Sequence, residues 1–151
     1  GEVHWCGEKI ARCREQFHRQ LNFSGHQYGL RGDLTALENL RYLIVDPVSD
    51  SALIESMARV GLGHCADLPA RYLSQGQRRR LLLARLQATR STCWILDEPL
   101  AALDHEGIVL VEKFCAEHLE AGGILIITSH QELSVSLRDS SELHLGGHNH
   151  A

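Results

Sequence analysis

STCWILDEPLAALDHEGIVLVEKFCAEHLEAGGILIITSH, residues 91–130, holds two short apolar runs on either side of a helical pattern. The first run, Cys93 to Leu96, ends in Asp97-Glu98-Pro99, as a buried strand does where it emerges at a surface. The second, ILIIT at 124–128, is branched and wholly apolar and leads into Ser129-His130. Between them Ile108, Val111, Phe114, Cys115 and Leu119 fall on one face of a helix over 105–120, closed by Gly122-Gly123. Strand, helix and strand with both strands apolar predicts a right-handed βαβ unit in a parallel sheet covered on both faces.

Upstream lies LSQGQRRR, residues 73–80. Ser74 with Gln77 three residues on is a capping-box pattern, so a helix starts here. Gly76 in its first turn has no side chain to keep a ligand away, and the positive end of the helix dipole favours an anion. Arg78, Arg79, Arg80 and Arg85 read as a solvated face of this helix with one or two partners nearby. Further back, GLRGD at 29–33 is turn chemistry, and LTALENLRYLIV spaces Leu34, Leu37, Leu40 and Leu43 helically with Thr35 as a cap for Glu38. Asp46-Pro47 breaks that helix, and DSALIESMARVGLG gives another. In residues 1–27 the best strand candidates are VHW and QLNF. The tail ELHLGGHNHA reads as an edge strand followed by a loose end, with His144, His148 and His150 solvated rather than chelating.

A length of 151 residues with 44% hydrophobic and 23% charged side chains suits one soluble domain with its own core. No apolar run approaches the roughly 20 residues that span a bilayer, and the expected compartment is the cytosol. Five cysteines without a CxxC pair support neither a zinc site nor a disulfide framework. A net charge of −4 argues against nucleic acid as a partner.

Ligands of open parallel sheets bind beyond the carboxyl ends of the strands, so Asp97, Glu98 and His130 stand where chemistry is expected. An aspartate there can hold Mg²⁺, directly or through water, and a neighbouring glutamate can orient and partly deprotonate a water for attack on a phosphoryl group. His130 on the next strand tip could touch the transferred phosphate. Taken singly, the plainer readings are favoured for Asp97-Glu98-Pro99, a solvated strand exit, and for His130, a surface or core histidine; for Ser74 the plainer reading is a simple helix cap.

Their order along the chain is what resembles a known machine. LSQGQ is similar to the signature motif of ABC transporter nucleotide-binding subunits, CWILDE to their Walker B strand and catalytic glutamate, AALD to their D-loop and ITSH to their switch histidine. GHQYGLRGDLTALENL resembles the family's Q-loop and the helix after it, which would make Gln27 the Q-loop glutamine. These stretches, with GQRRRLLLARL and Gln131 after the histidine, are most similar to the haem-exporter ATPases of bacterial cytochrome c maturation.

The resemblance implies an α/β fold, the P-loop NTPase-type ABC nucleotide-binding domain, with a parallel sheet core at about 91–130 and a small helical subdomain at about 28–88. It implies Glu98, His130 and Gln27 as catalytic residues, Ser74, Gln75, Gly76, Gln77 and Asp104 as nucleotide contacts, and Asp97 with Gln27 at the metal. ATP and Mg²⁺ are the implied cofactors. A second nucleotide-binding subunit packed head to tail and integral membrane subunits are the implied partners, on the cytoplasmic face of the bacterial inner membrane. Each signature helix would then face ATP held by the other subunit.

Two departures stand out. The chain has only two lysines, Lys9 and Lys113, and no G-x-x-x-x-G-K-[ST], which the family carries upstream of the Q-loop. The expectation is therefore an N-terminally incomplete domain over 1–151, inactive alone, with part of its core exposed. Ala101 stands where the family more often has serine. Chromosome-maintenance and DNA-repair ATPases share the signature but insert long coiled coils before it, whereas only 47 residues separate Gln27 from Ser74. The other reading is a noncatalytic regulatory or binding module derived from such an ATPase.

Overall fold

The structure, a computed structural model, describes residues 1–25, 29–101, 103–130 and 141. A hairpin opens the chain, with β1 (His4–Trp5) antiparallel to β2 (Glu8–Lys9). Cys6 and Gly7 both take positive φ (49° and 82°), the two-residue turn geometry that matches the twist of paired strands. Trp5 packs edge-on against Phe17 of α1 (Arg14–Gln20), with ring centroids 5.3 Å apart.

The sheet is three-stranded and parallel in the order β3 (Leu21–Ser24), β4 (Cys93–Asp97), β5 (Ile124–Thr128). The predicted strands QLNF, CWIL and ILIIT are thus its three members. Between β3 and β4 run α2 (Ala36–Leu43), α3 (Asp50–Arg59), two short 3-10 turns (Gly63–Cys65 and Ala70–Tyr72) and α4 (Gln75–Ala88). Between β4 and β5 lies α5 (His105–Glu120), with the bounds the sequence predicts.

Helices α2 to α5 each begin at a side chain that takes up an orphaned backbone N–H, whereas α1 starts at Cys13 without one. Thr35 Oγ1 accepts from Glu38 N at 3.2 Å while the Glu38 carboxylate accepts from Thr35 N at 2.7 Å, and Ser49 caps α3 through Ala52 N at 3.4 Å. The fully buried Asn39 in α2 donates to the carbonyls of Arg31, Leu34 and Thr35 and accepts from Arg31 N. A buried amide with those bonds made fixes the loop before α2 onto the helix.

Leu40, Leu53, Met57, Leu81, Leu83, Leu86, Trp94, Leu96, Val111 and Phe114 belong to one continuous core in which the helices cover one face of the sheet. The other face departs from the expectation of cover on both sides. Register places Phe23, Ile95 and Ile126 together on it, and Phe23 and Ile126 are 55% and 52% exposed. Among the described residues the helices following β3 and β4 pack on the Trp94 and Leu96 side, which leaves the Phe23 and Ile126 side open.

Closure of the βαβ unit depends on two glycines. Gly122 ends α5 with φ +83°, and a Cβ at Gly123 would lie 2.3 Å from the His118 ring. That ring stacks on Trp94 at 4.0 Å with 7° between planes, and its Nε2 lies 3.2 Å from the Ile124 carbonyl. Burial pushes the His118 imidazole below its ordinary pKa, so the neutral ring is favoured. No helix among the described residues is long and apolar enough to cross a membrane.

Candidate functional site

β4 delivers Asp97 to its carboxyl end and the chain then turns sharply. Glu98 adopts φ +50°, a left-handed conformation that costs an L-residue with a side chain roughly 1–2 kcal/mol. Bonds from three directions hold it. Its N–H donates to the Thr128 carbonyl at 3.0 Å and to Thr128 Oγ1 at 3.2 Å, at the tip of β5. Its own carbonyl accepts from Ala101 N at 3.2 Å and from the Arg79 guanidinium. Thr128 Oγ1 in turn donates to Asp97 Oδ1 at 2.7 Å, so one hydroxyl ties both acidic residues to the neighbouring strand.

His130, just past β5, brings Nε2 to 3.5 Å from Glu98 Oε1. Its side chain is 97% exposed and that of Glu98 25%, so the imidazole stands over the carboxylate on the solvent side. Asp97, Glu98 and His130 therefore meet at adjacent strand tips, as the sequence predicts.

The front of α4 is built separately. Gln77 N donates to Ser74 Oγ at 3.1 Å and Ser74 N to Gln77 Oε1 at 2.9 Å. The predicted capping box is present, each side-chain oxygen accepting from the other residue's backbone N–H. Gln75 and Gly76 follow as the first residues of the helix, where backbone N–H groups have no partner earlier in the helix. Asp104 caps α5 through Gly107 N at 2.9 Å, and the Arg80 guanidinium reaches both of its oxygens at 2.7 and 2.9 Å. The Arg80 bond and then the Gly107 N–H hold the Asp104 carboxyl below the usual carboxylate range. Gln27, Gln131, the tail histidines and the predicted edge strand lie outside the described residues.

The arginines of α4 depart most from the sequence reading. Instead of a solvated face, they tie the helix to its surroundings. Arg78 donates to the carbonyls of Ala70 and Arg71 at 3.2 Å each, and Arg80 holds Asp104. Arg79 is 2% exposed and donates to the carbonyls of Asp97 and Pro99 at 3.3 Å each, as well as to that of Glu98. Arg85 reaches the Phe23 carbonyl, and burial lowers its pKa. Arg79 and Thr128 lie within the quoted GQRRRLLLARL and ITSH stretches, yet the motif reading gives neither a role in the site. The signal that could have marked Arg79 is its spacing, three, four and seven residues before Leu82, Leu83 and Leu86 on the apolar side of the helix.

The oxygen donors gathered here are two carboxylates and a hydroxyl. That set suits Mg²⁺, which binds through one or two carboxylates and keeps waters or substrate phosphates in its other positions. Among the described residues no group of three or more His, Cys, Asp or Glu side chains could hold a metal as an all-protein cage. Burial raises the thiol pKa of Cys93, and that of Cys115 to about 12, which leaves them as protonated core groups.

Comparison with known proteins gives a consistent picture. Residues 1–101 match the family described as ABC transporter. The chain is 42% identical over 149 residues to the cytochrome c biogenesis ATP-binding export protein CcmA of Vibrio cholerae, a match covering 97% of this chain and 72% of that protein. It is 45% identical over 137 residues to the protein of the same name from Escherichia coli K12, covering 90% of this chain and 65% of that one. Among solved structures it resembles the dimeric post-hydrolysis state of the ATP-binding cassette MJ0796 bound to ADP and Pi, with a TM-score of 0.73 and 24% identity. That likeness covers 87% of this chain and 63% of the other.

Proposed function

The chain belongs to the ABC transporter family, and on that premise we propose that it is the ATP-binding subunit of an export complex in cytochrome c biogenesis. The printed name shared by its relatives from Vibrio and Escherichia supports the branch, and the convergence of Asp97, Glu98 and His130 at adjacent strand tips supports the chemistry. ATP is the substrate whose hydrolysis would drive export.

Glu98 is the group that orients the attacking water and takes up its proton. Its left-handed backbone and the two bonds from its N–H to Thr128 aim the carboxylate away from the strand. His130 stands 3.5 Å from that carboxylate and can donate to the oxygens of the departing phosphate. Asp97, held by the Thr128 hydroxyl, would carry Mg²⁺ with Gln27, and the ion would offset charge on the phosphate oxygens. At the front of α4, the first-turn amides beside Gly76 offer donors and a positive dipole end to a phosphate. Ser74 and Gln77 cap that helix front through each other's backbone N–H, and a second nucleotide-binding subunit packed head to tail would bring the phosphate to it. Asp104 would lie at the contact between the two copies.

Integral membrane subunits on the cytoplasmic face of the inner membrane complete the proposal. The test is Glu98→Gln in the complete export complex. ATP should still bind while hydrolysis falls by about 10²-fold or more, and c-type cytochromes should fail to mature. Wild-type turnover in that variant would remove Glu98, and with it this mechanism.

A further inference from the structure

Arg79 does something that neither a strand-tip carboxylate pair nor a capped helix explains. Its guanidinium is buried and donates to three successive backbone carbonyls, those of Asp97, Glu98 and Pro99. These bracket the one residue of the site with a positive φ. A left-handed glutamate persists only where its surroundings over-determine it, and a fan of charged hydrogen bonds on its carbonyl side is such a constraint. The β5 tip supplies the matching constraint on the N–H side.

Arg79 also belongs to α4, whose first residue, Gln75, lies four positions earlier and so about 6 Å away along the axis. The next residue, Arg80, holds Asp104 at the far end of the same loop. One rigid helix therefore carries the phosphate-facing amides at its front and grips both ends of the 97–104 segment one turn further on.

We propose that Arg79 is a positioning residue that locks Glu98 in its left-handed, water-facing conformation and transmits to it any movement of the α4 N-terminus. The inference rests on the reading of Glu98 as the residue that orients water, and it adds a route within one chain from the phosphate-binding helix front to that carboxylate. Arg79 touches no substrate. It acts through the backbone of the residue that does.

Two variants of the full chain test this. Arg79→Met keeps length and apolar bulk while removing the guanidinium donor from three carbonyls, of which that of Glu98 keeps its bond from Ala101 N, and Arg79→Lys keeps the charge without the fork. Hydrogen exchange resolved at the Glu98 amide is read first, because it does not depend on hydrolysis. In Arg79→Met that amide should exchange about tenfold faster or more, while amides at 81–86 of α4 stay within about twofold of wild type, and Arg79→Lys should fall between. In the assembled complex kcat should drop about tenfold in Arg79→Met, with KM for ATP within about twofold. Unchanged exchange at Glu98, or protection lost evenly along α4 and β4 with no rescue by lysine, would overturn the proposal. Loss of local protection with unchanged kcat would also overturn the catalytic part. Wild-type protein that hydrolyses no ATP defeats the functional reading instead, and the exchange arm still decides whether Arg79 positions Glu98.

Discussion

At the scale of single residues, the site is a set of backbone constraints more than a set of free side chains. Thr128 accepts from the Glu98 amide and donates to Asp97, so one hydroxyl fixes the relation between the two carboxylates. Asp104 likewise serves as the α5 cap and as the partner of Arg80. Its carboxyl is held below its ordinary value, chiefly by the Arg80 bond, so the folded chain releases that proton more readily than the unfolded chain. The sign follows by linkage: this contribution is complete above the unfolded value of 3.8 and fades as pH falls through the lower folded value. Asparagine also caps helices but cannot pair with a guanidinium. Asp104→Asn should therefore melt below wild type at pH 7, with the gap closing towards pH 3 in a series of thermal scans. A gap independent of pH would mean that the charge contributes nothing.

At the scale of elements, what the sequence discloses is what is local. Ser74 with Gln77, Thr35 with Glu38, and Gly122 at the end of α5 involve neighbours within a turn, and each stands where pattern reading puts it. The destinations of Arg79, Arg80 and Arg85 are tertiary, which is why a helix reading makes them a solvated face. The same limit hides the left-handed φ of Glu98, because it depends on bonds from β5 and α4. Ser74 carries two separable roles at one element's end. As a cap it is worth about 1 kcal/mol, and aspartate caps as well as serine does. As part of a phosphate-facing helix front it must not add a negative charge. Ser74→Ala should lower stability to urea by about 1 kcal/mol, while Ser74→Asp should keep the stability and lose most ATP hydrolysis in the assembled complex. Equal activity in Ser74→Asp and wild type would leave the helix front with only its capping role.

At the scale of the whole molecule, the core is continuous from α2 and α3 through α4 to one face of the sheet, and Arg59 adds a polar link across it. From α3 the Arg59 guanidinium reaches Glu117 of α5 at 2.7 Å, the Gln87 amide of α4, and the Phe114 ring at 5.2 Å. The opposite sheet face, with Phe23, Ile124 and Ile126 open to water, has no such support among the described residues. Alternation along β4 and β5 makes the two faces separable by mutation, since Leu96 of β4 is 1% exposed on the covered side and Ile126 of β5 is 52% exposed on the open one. Removing buried methyl groups costs both their transfer energy and a cavity, so Leu96→Ala should lose about 2–5 kcal/mol in urea unfolding. Ile126→Thr keeps a β-branched strand former at a site half in water, and its cost should stay within about 0.5 kcal/mol. The same substitution should reduce the binding of an apolar dye to the folded chain, because it removes part of the exposed patch. If Ile126→Thr instead cost as much as Leu96→Ala, the face would be buried in solution, and sedimentation of the wild-type chain would then have to show self-association through it.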